Sequence, residues 1–566
     1  MNSEIARQPG SSTGRHAVIP TRPLSIGEYL IKRLQDYGIR DLFGIPGDYI
    51  LGFYSMLEKS PINVVGCTRE DCAGFAADAY ARINGMGAVA VTYCVGGLSV
   101  ANSIAGAYAE KSAVVLIAGS PGMEERRNNP LLHHKVKDFR TQAEVFEKLC
   151  IGAIELTDPV IAFREIDRVL DLAHRFKRPV YIELPRDMTS VVPQIGQNYH
   201  REEIHTDPQA MQEAADEAVM LLNKAERPVM IAGVEMHRFG LQAKVAELVD
   251  QSGLAVAATL LGKSVIRETH PRYLGIYEGA MGHAEVTQFV EESDCVLLLG
   301  AFMTDINLGI YTANLDPAKC IYVTSEQLRI RHHHYHSVDL GAFMDAILER
   351  KPVAKPRAMP KRPWFERTPF VLKPEAPITI SRMMSRLNEQ ITTDTIVIAD
   401  IGDSLFAAAD LIAHEAADFL SPAYYTSMGF SAPATLGACV ARPQDRVIAI
   451  CGDGAFQMTG MELSNVVRRK HNPIFIVLDN HGYGTERFLH AGKWEYNDIN
   501  AWNYAKLPEV FGGGTGYVVK TEAEFDDALT KAWADTSAMS LIQVKIDEND
   551  ISNALRRLGE RLGQRI

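Results

Sequence analysis

The chain has 566 residues, 46% hydrophobic and 23% charged. This ordinary globular composition excludes disorder and fibre and leaves room for about three or four domains. A formal charge of -12 and a pI near 5.8 argue against nucleic acid or an anionic membrane as the main partner and favour small molecules. No apolar run reaches the roughly 18 to 20 residues of a spanning helix, and MNSEIARQPGSSTGRHAVIP lacks the apolar core of a secretory signal, so a cytoplasmic chain is expected. Cys67, Cys72, Cys94, Cys150, Cys295, Cys320, Cys439 and Cys451 are scattered among apolar neighbours, the pattern of buried reduced thiols and not of a disulfide framework or zinc site.

Residues 1–20 are small, polar and aperiodic, which predicts a disordered lead, with folding from about Thr21 and a first helix over Ser25 to Tyr37. Short apolar runs then alternate with helical stretches: Asn63–Gly66, Ala88–Tyr93, Ala113–Ala118 and Val180–Leu184 read as buried strands. They define a first α/β domain over 21–195. A polar stretch leads into a second domain over 210–350, with strands expected at Val229–Ala232, Ala255–Leu261, Val296–Leu299 and Ile321–Val323. Residues 351–377 carry seven prolines from Pro352 to Pro377, a composition that suits an extended strap between domains. The third domain, 378–566, has strands expected at Ile396–Ala399, Val447–Ile450, Ile474–Leu478 and Leu541–Val544. The fold class is α/β: three domains, each a mainly parallel sheet flanked by helices.

The densest chemistry lies between Asp445 and Glu486. An apolar run ends in Gly452-Asp453-Gly454, Thr459 and Glu462 read as a capping box opening a helix, and Ile474–Leu478 is the next strand. A right-handed crossover would leave Asp453 and Asn480 just past the carboxyl ends of two parallel strands, where open α/β sheets hold ligands. Glycines around an acid let backbone approach a diphosphate, and the Asp453 carboxylate, the Asn480 amide oxygen and the Gly482 carbonyl are hard oxygen ligands suited to magnesium.

GDG followed by Asp479-Asn480 resembles the thiamin-diphosphate motif, and VLDNHGYGTE resembles the matching stretch of pyruvate and indolepyruvate decarboxylases. VVGCTREDCAGFAADAYARINGMGAVAVTYCVGGLSVANSIAGAYAEKS is similar to that family's pyrimidine-binding domain. The resemblance, which runs from about Thr21 onward, makes the first domain pyrimidine-binding, the middle one dinucleotide-fold-like and the third diphosphate-binding. It implies a thiamin diphosphate- and Mg2+-dependent decarboxylase that turns a 2-keto acid into an aldehyde and carbon dioxide through an ylide of the coenzyme. Glu70 would activate the coenzyme, while Asp48 of FGIPGDY, His133 and His134 of LLHHK, and Glu486 would handle protons around the substrate. Asp403, Ser404, Thr426, Ser427, Met428, Gly452, Asp453, Gly454, Ala455, Asn480, Gly482 and Tyr483 would hold the coenzyme, with Asp453, Asn480 and Gly482 on the metal.

SMGFSAPA and GDGAFQMTGMELSN look closest to phenylpyruvate and indolepyruvate enzymes. Thr485, smaller than the isoleucine of dedicated pyruvate enzymes, suggests an enlarged pocket that Leu555 and Leu558, on a helix expected over about Ile551 to Leu562, could cap. Pyruvate and branched-chain keto acids stay open. So do two other classes: an acetolactate-synthase-like carboligase, which Asp48 argues against, and a non-catalytic cofactor-binding paralogue. The family also implies that two chains build each site, with a homodimer as minimal unit and a homotetramer as assembled form. No flavin is expected in the middle domain. His332, His333, His334 and His336 read as a solvated loop without ligand spacing, and Gly512–Gly516 reads as a turn before a strand.

Overall fold

The computed structural model describes residues 23–194, 199–200, 206–362, 369–413, 418–490 and 492–562, with side chains to 557 at the carboxyl end. The expected N-terminal lead over 1–20 lies outside the described residues. Ser25 caps the first helix, Ile26–Asp36, in a reciprocal box with Glu28.

Three sheets follow. The first contains β1 (Asp41–Gly44), β2 (Asn63–Gly66), β3 (Gly87–Val91), β4 (Val114–Ser120), β5 (Gly152–Glu155) and β6 (Val180–Pro185), all parallel in the order β2-β1-β3-β4-β6-β5. The second contains β7 (Pro228–Ala232), β8 (Ala255–Ala258), β9 (Tyr273–Ile276), β10 (Cys295–Leu299), β11 (Cys320–Val323), β12 (Leu328–Ile330) and β13 (His333–Tyr335). Its order is β13-β12-β11-β10-β7-β8-β9, parallel except at β12 and β13. The third contains β14 (Thr395–Ala399), β15 (Asp418–Leu420), β16 (Arg446–Gly452), β17 (Ile474–Asp479), β18 (Thr515–Val519) and β19 (Ser540–Lys545), all parallel in the order β15-β14-β16-β17-β19-β18. Helices cover both faces, so central strands such as VVLIAGS are buried along their whole length and read as unbroken apolar runs.

Three details differ from the sequence reading. The strand expected over Ala255–Leu261 stops at Ala258, where the chain turns back through Gly262. Thr459 and Glu462 form no capping box: the helix Asp453–Thr459 begins directly after Gly452, and Thr459 Oγ1 instead donates to the Gly429 carbonyl at 2.6 Å. His333–Tyr335 is a short antiparallel edge strand and not a loop, although its histidines are exposed and His333 pairs with Glu217. Gly512 and Gly514 do turn the chain, in left-handed conformations, just before β18.

The first and third sheets are joined within one chain. Helix Glu70–Asn84 packs against helix Ser431–Ala441, and alanines and glycines at the contact let the backbones approach. A Cβ on Gly437 would meet the Ala76 carbonyl at 2.2 Å. The strap residues 351–362 lie back on the second domain, where Arg357 donates to the carbonyl of Phe289 in helix Ala284–Glu291 at 2.9 Å and stacks over its ring. All eight cysteines are free thiols, seven of them buried. Among the described residues no helix is long and apolar enough to cross a membrane.

Candidate active site

In the third sheet the chain leaves β14 outward to β15 and returns to β16 on the other side, so a crevice opens past the carboxyl ends of β14 and β16. A cavity of about 950 Å³ fills it. Gly402, Asp403 and Ser404 after β14, Gly452, Gly454 and Ala455 after β16, and Asn480, Gly482, Tyr483, Thr485 and Glu486 after β17 line this space. Gly482 sits at φ +153°, and a Cβ there would lie 1.9 Å from the Asn497 carbonyl oxygen, so only glycine fits.

Two carboxylates, Asp453 and Asp479, are buried beside the cavity without being among its lining residues. Asp453 is buried; its Oδ1 accepts the Gly454 N–H at 2.8 Å, and its Oδ2 has no hydrogen-bond partner. Burial, and then the charge of Asp479, push the Asp453 carboxyl up to about 7. Asp479 Oδ2 is committed to Lys545 and, at 2.6 Å, to Gln543 Nε2, while its buried Oδ1 makes no hydrogen bond and lies 3.3 Å from His481 Nδ1. Asp453, Asp479 and His481 bring ligand atoms within 4.8 Å of one another. An unpartnered buried carboxylate oxygen among hard oxygen donors is what a divalent cation would satisfy, so these residues fit a metal-bound diphosphate.

The loop after β15 forms another wall. Thr426 adopts φ +58°, a left-handed conformation that a β-branched residue holds only under constraint, and Met428 beside it faces the cavity. The constraint is Asp400, fully buried, whose carboxylate accepts the N–H groups of Gly429 at 3.0 Å and Ser431 at 2.8 Å. Ser427 does not line the cavity; its hydroxyl accepts from Asn102 Nδ2 at 2.9 Å. The Asp403 carboxylate, expected in the coenzyme cradle, is turned to Ser552, taking its N–H at 2.8 Å and its hydroxyl, and so anchors helix Asn553–Leu562. Burial raises that carboxyl to about 6. Leu555 of the same helix does not line the cavity but packs behind Phe406, which does; Leu558 lies outside the residues whose side chains are described.

Sequence reasoning missed the remaining walls. Asp305, Ile306 and Ile310 enter from the loop after β10, joined by Ile401, Phe406, Tyr424, Leu489, Tyr496, Asn497 and Ile546. No motif marks them; their only signal is position beyond strand ends.

The other expected residues gather past the carboxyl edge of the first sheet. Asp48 follows β1, Glu70 opens the helix after β2, and His133 and His134 follow β4. His133 Nε2 lies 2.6 Å from Asp48 Oδ2, and the two histidine rings meet edge to face at 4.8 Å. The Glu70 side chain lies beside Gly96, whose Cβ position is 3.6 Å from Glu70 Cγ. None of Asp48, Glu70, His133 and His134 lines the cavity of the third sheet. Several direct ties join the two regions: besides Asn102–Ser427, Glu462 accepts the Thr68 N–H at 2.9 Å and its hydroxyl at 2.5 Å, and Glu110 accepts the N–H groups of Tyr424 and Tyr425, each at 2.8 Å.

Comparison with known proteins agrees with this geometry. Models of the N-terminal, central and C-terminal domains of thiamine pyrophosphate enzymes match residues 24–144, 215–350 and 400–544. Fold and site therefore define a thiamin-diphosphate-dependent enzyme. The chain is 36% identical to an indole-3-pyruvate decarboxylase of Azospirillum brasilense, over 94% of this chain and 97% of the relative. It is 33% identical to an alpha-keto-acid decarboxylase of Mycolicibacterium paratuberculosis and 32% to one of Mycobacterium tuberculosis, in each case over 94% of this chain and 96% of the relative. The chain belongs to the thiamin-diphosphate-dependent 2-keto acid decarboxylase family, and its substrate is a small-molecule 2-keto acid.

Proposed function

We propose that this decarboxylase acts on an aromatic 2-keto acid, phenylpyruvate or indolepyruvate. The observation that carries this reading is the cavity wall: Ile306, Ile310, Phe406 and Leu489 form an apolar surface in a space of about 950 Å³, with the small Thr485 beside Glu486. Apolar walls with few polar groups suit an aromatic ring and keep water away from a carboxylate that must lose its charge.

Asp453, Asn480 and the Gly482 carbonyl would hold Mg2+ against the coenzyme diphosphate, with Gly452, Gly454, Ala455, Tyr483 and Ser404 around it. Thr426 would orient the aminopyrimidine through its carbonyl, and Met428 would wedge between the two rings. Bound there, thiamin diphosphate supplies a nucleophilic carbon and an electron sink for the pair left by carbon dioxide. Glu70 would hold a proton at the pyrimidine ring, and Asp48, His133, His134 and Glu486 would carry protons to and from the substrate. Because the Glu70 group and the cavity stand apart in one chain, a second copy would supply Glu70, Asp48 and the histidines to each cavity, making a homodimer the minimal unit and a homotetramer the assembled form.

Steady-state rates on phenylpyruvate, indolepyruvate, 2-ketoisovalerate and pyruvate test the substrate. The aromatic acids should give the highest kcat/KM, and a clear preference for pyruvate would overturn the reading. Carbon dioxide release by protein stripped of metal and coenzyme should return only when both are resupplied.

A further inference from the structure

We propose that Tyr49 is the positioning residue that keeps His133 in place while His133 gains and loses a proton; this rests on the reading of His133 as a proton carrier. Tyr49 follows Asp48 directly and is only 1% exposed. Its backbone is pinned against β4, where a Cβ on Gly119 would meet the Tyr49 carbonyl at 2.4 Å. Its ring stacks on His133, with centroids 4.8 Å apart and planes 23° from parallel, and meets His134 edge-on at 5.9 Å. The Arg186 guanidinium lies over the Tyr49 ring at 5.1 Å, and Tyr93 meets it edge-on at 5.8 Å.

The hydroxyl carries the argument. It lies 3.3 Å from His133 Nδ1 and also 3.3 Å from the His133 carbonyl oxygen. His133 Nε2, 2.6 Å from Asp48 Oδ2, must bear hydrogen when that carboxylate is ionised. A neutral His133 therefore presents a lone pair at Nδ1, which takes the tyrosine O–H. When His133 becomes a cation, Nδ1–H donates to the phenol oxygen and the O–H turns to the carbonyl. One hydroxyl rotation serves both states with no heavy atom displaced. The groups facing His133 are Asp48 at Nε2, His134 at the ring edge and Tyr49, with Arg186 behind Tyr49 and Lys135 two residues on, its ammonium held by Asn129. Among these, only the phenol offers Nδ1–H an acceptor, and a charge-assisted bond favours the cation over the neutral ring.

Tyr49→Phe keeps the stacking and removes the hydroxyl. Histidine-labelled holoenzyme, with the His133 signal assigned by its loss in His133→Asn, is titrated by NMR. The Tyr49→Phe protein should show the His133 midpoint lowered by about half a unit, roughly a threefold change in the protonation equilibrium. The acid limb of its kcat profile should move the same way, with KM and melting temperature unchanged. Wild-type chains carrying 3-fluorotyrosine, a better donor and poorer acceptor, must shift the midpoint in the same direction without any change of fold. Unchanged midpoints overturn the proposal. If instead His133→Asn turns over at the wild-type rate, the proton-carrier reading fails, and the titration still decides on Tyr49.

Discussion

The Asp400 carboxylate accepts the backbone N–H of Ser431 at 2.8 Å while its other oxygen takes that of Gly429, so one buried acid fixes the loop that carries Thr426 and Met428. Asp400→Asn supplies one acceptor where two are needed. One buried N–H would then go unpaired, at a cost of about 1–3 kcal/mol. Calorimetry should show weaker uptake of Mg2+-thiamin diphosphate, and the melting temperature should fall.

Glu278 is buried in the second domain, its Oε1 has no hydrogen-bond partner, and burial pushes its carboxyl up to about 7. The unfolded chain releases this proton near 4.5 and the folded chain only near 7, so stability from this group is whole below 4.5 and declines as pH rises to about 7. Glu278→Gln should flatten that decline and raise stability above pH 7 by up to about 3 kcal/mol, the linkage value of this displacement. Denaturant melts at several pH values measure it; equal curves for both proteins would refute it.

Thr485 lines the cavity next to Glu486, with its hydroxyl 3.3 Å from where a Gly402 Cβ would stand. Thr485→Ile enlarges a side chain in a confined wall. The kcat/KM for phenylpyruvate should drop about tenfold relative to pyruvate, the scale on which a pocket discriminates small differences in apolar bulk. An unchanged ratio would place the aromatic group elsewhere.

Much of this was legible in the sequence because parallel strands buried on both faces leave long apolar runs, and because ligand-bearing turns follow them. Asp453 and Asn480 could thus be placed from strand ends alone, whereas Asp48, Glu70 and the histidine pair stood out only through family resemblance. Some short edge strands escaped: β15, for example, is three residues long and only its last is buried. Glu462 was misread because a box is a local pattern, while its actual partner, Thr68, is 394 residues away. Asp403 followed the same logic, its carboxylate answering to Ser552 at the far end of the chain. Ile306 and Ile310 carry no motif, since an apolar wall asks only for bulk and position.

Glu70→Gln and Glu486→Gln chains, each expected to be inactive alone, give the most direct test that every site takes side chains from two copies. Random pairing makes half the dimers hybrids, each with one intact site of two, so the mixture should regain roughly a quarter of wild-type carbon dioxide release. A mixture no more active than its parents, once hybrid dimers are confirmed by mass, would contradict the account.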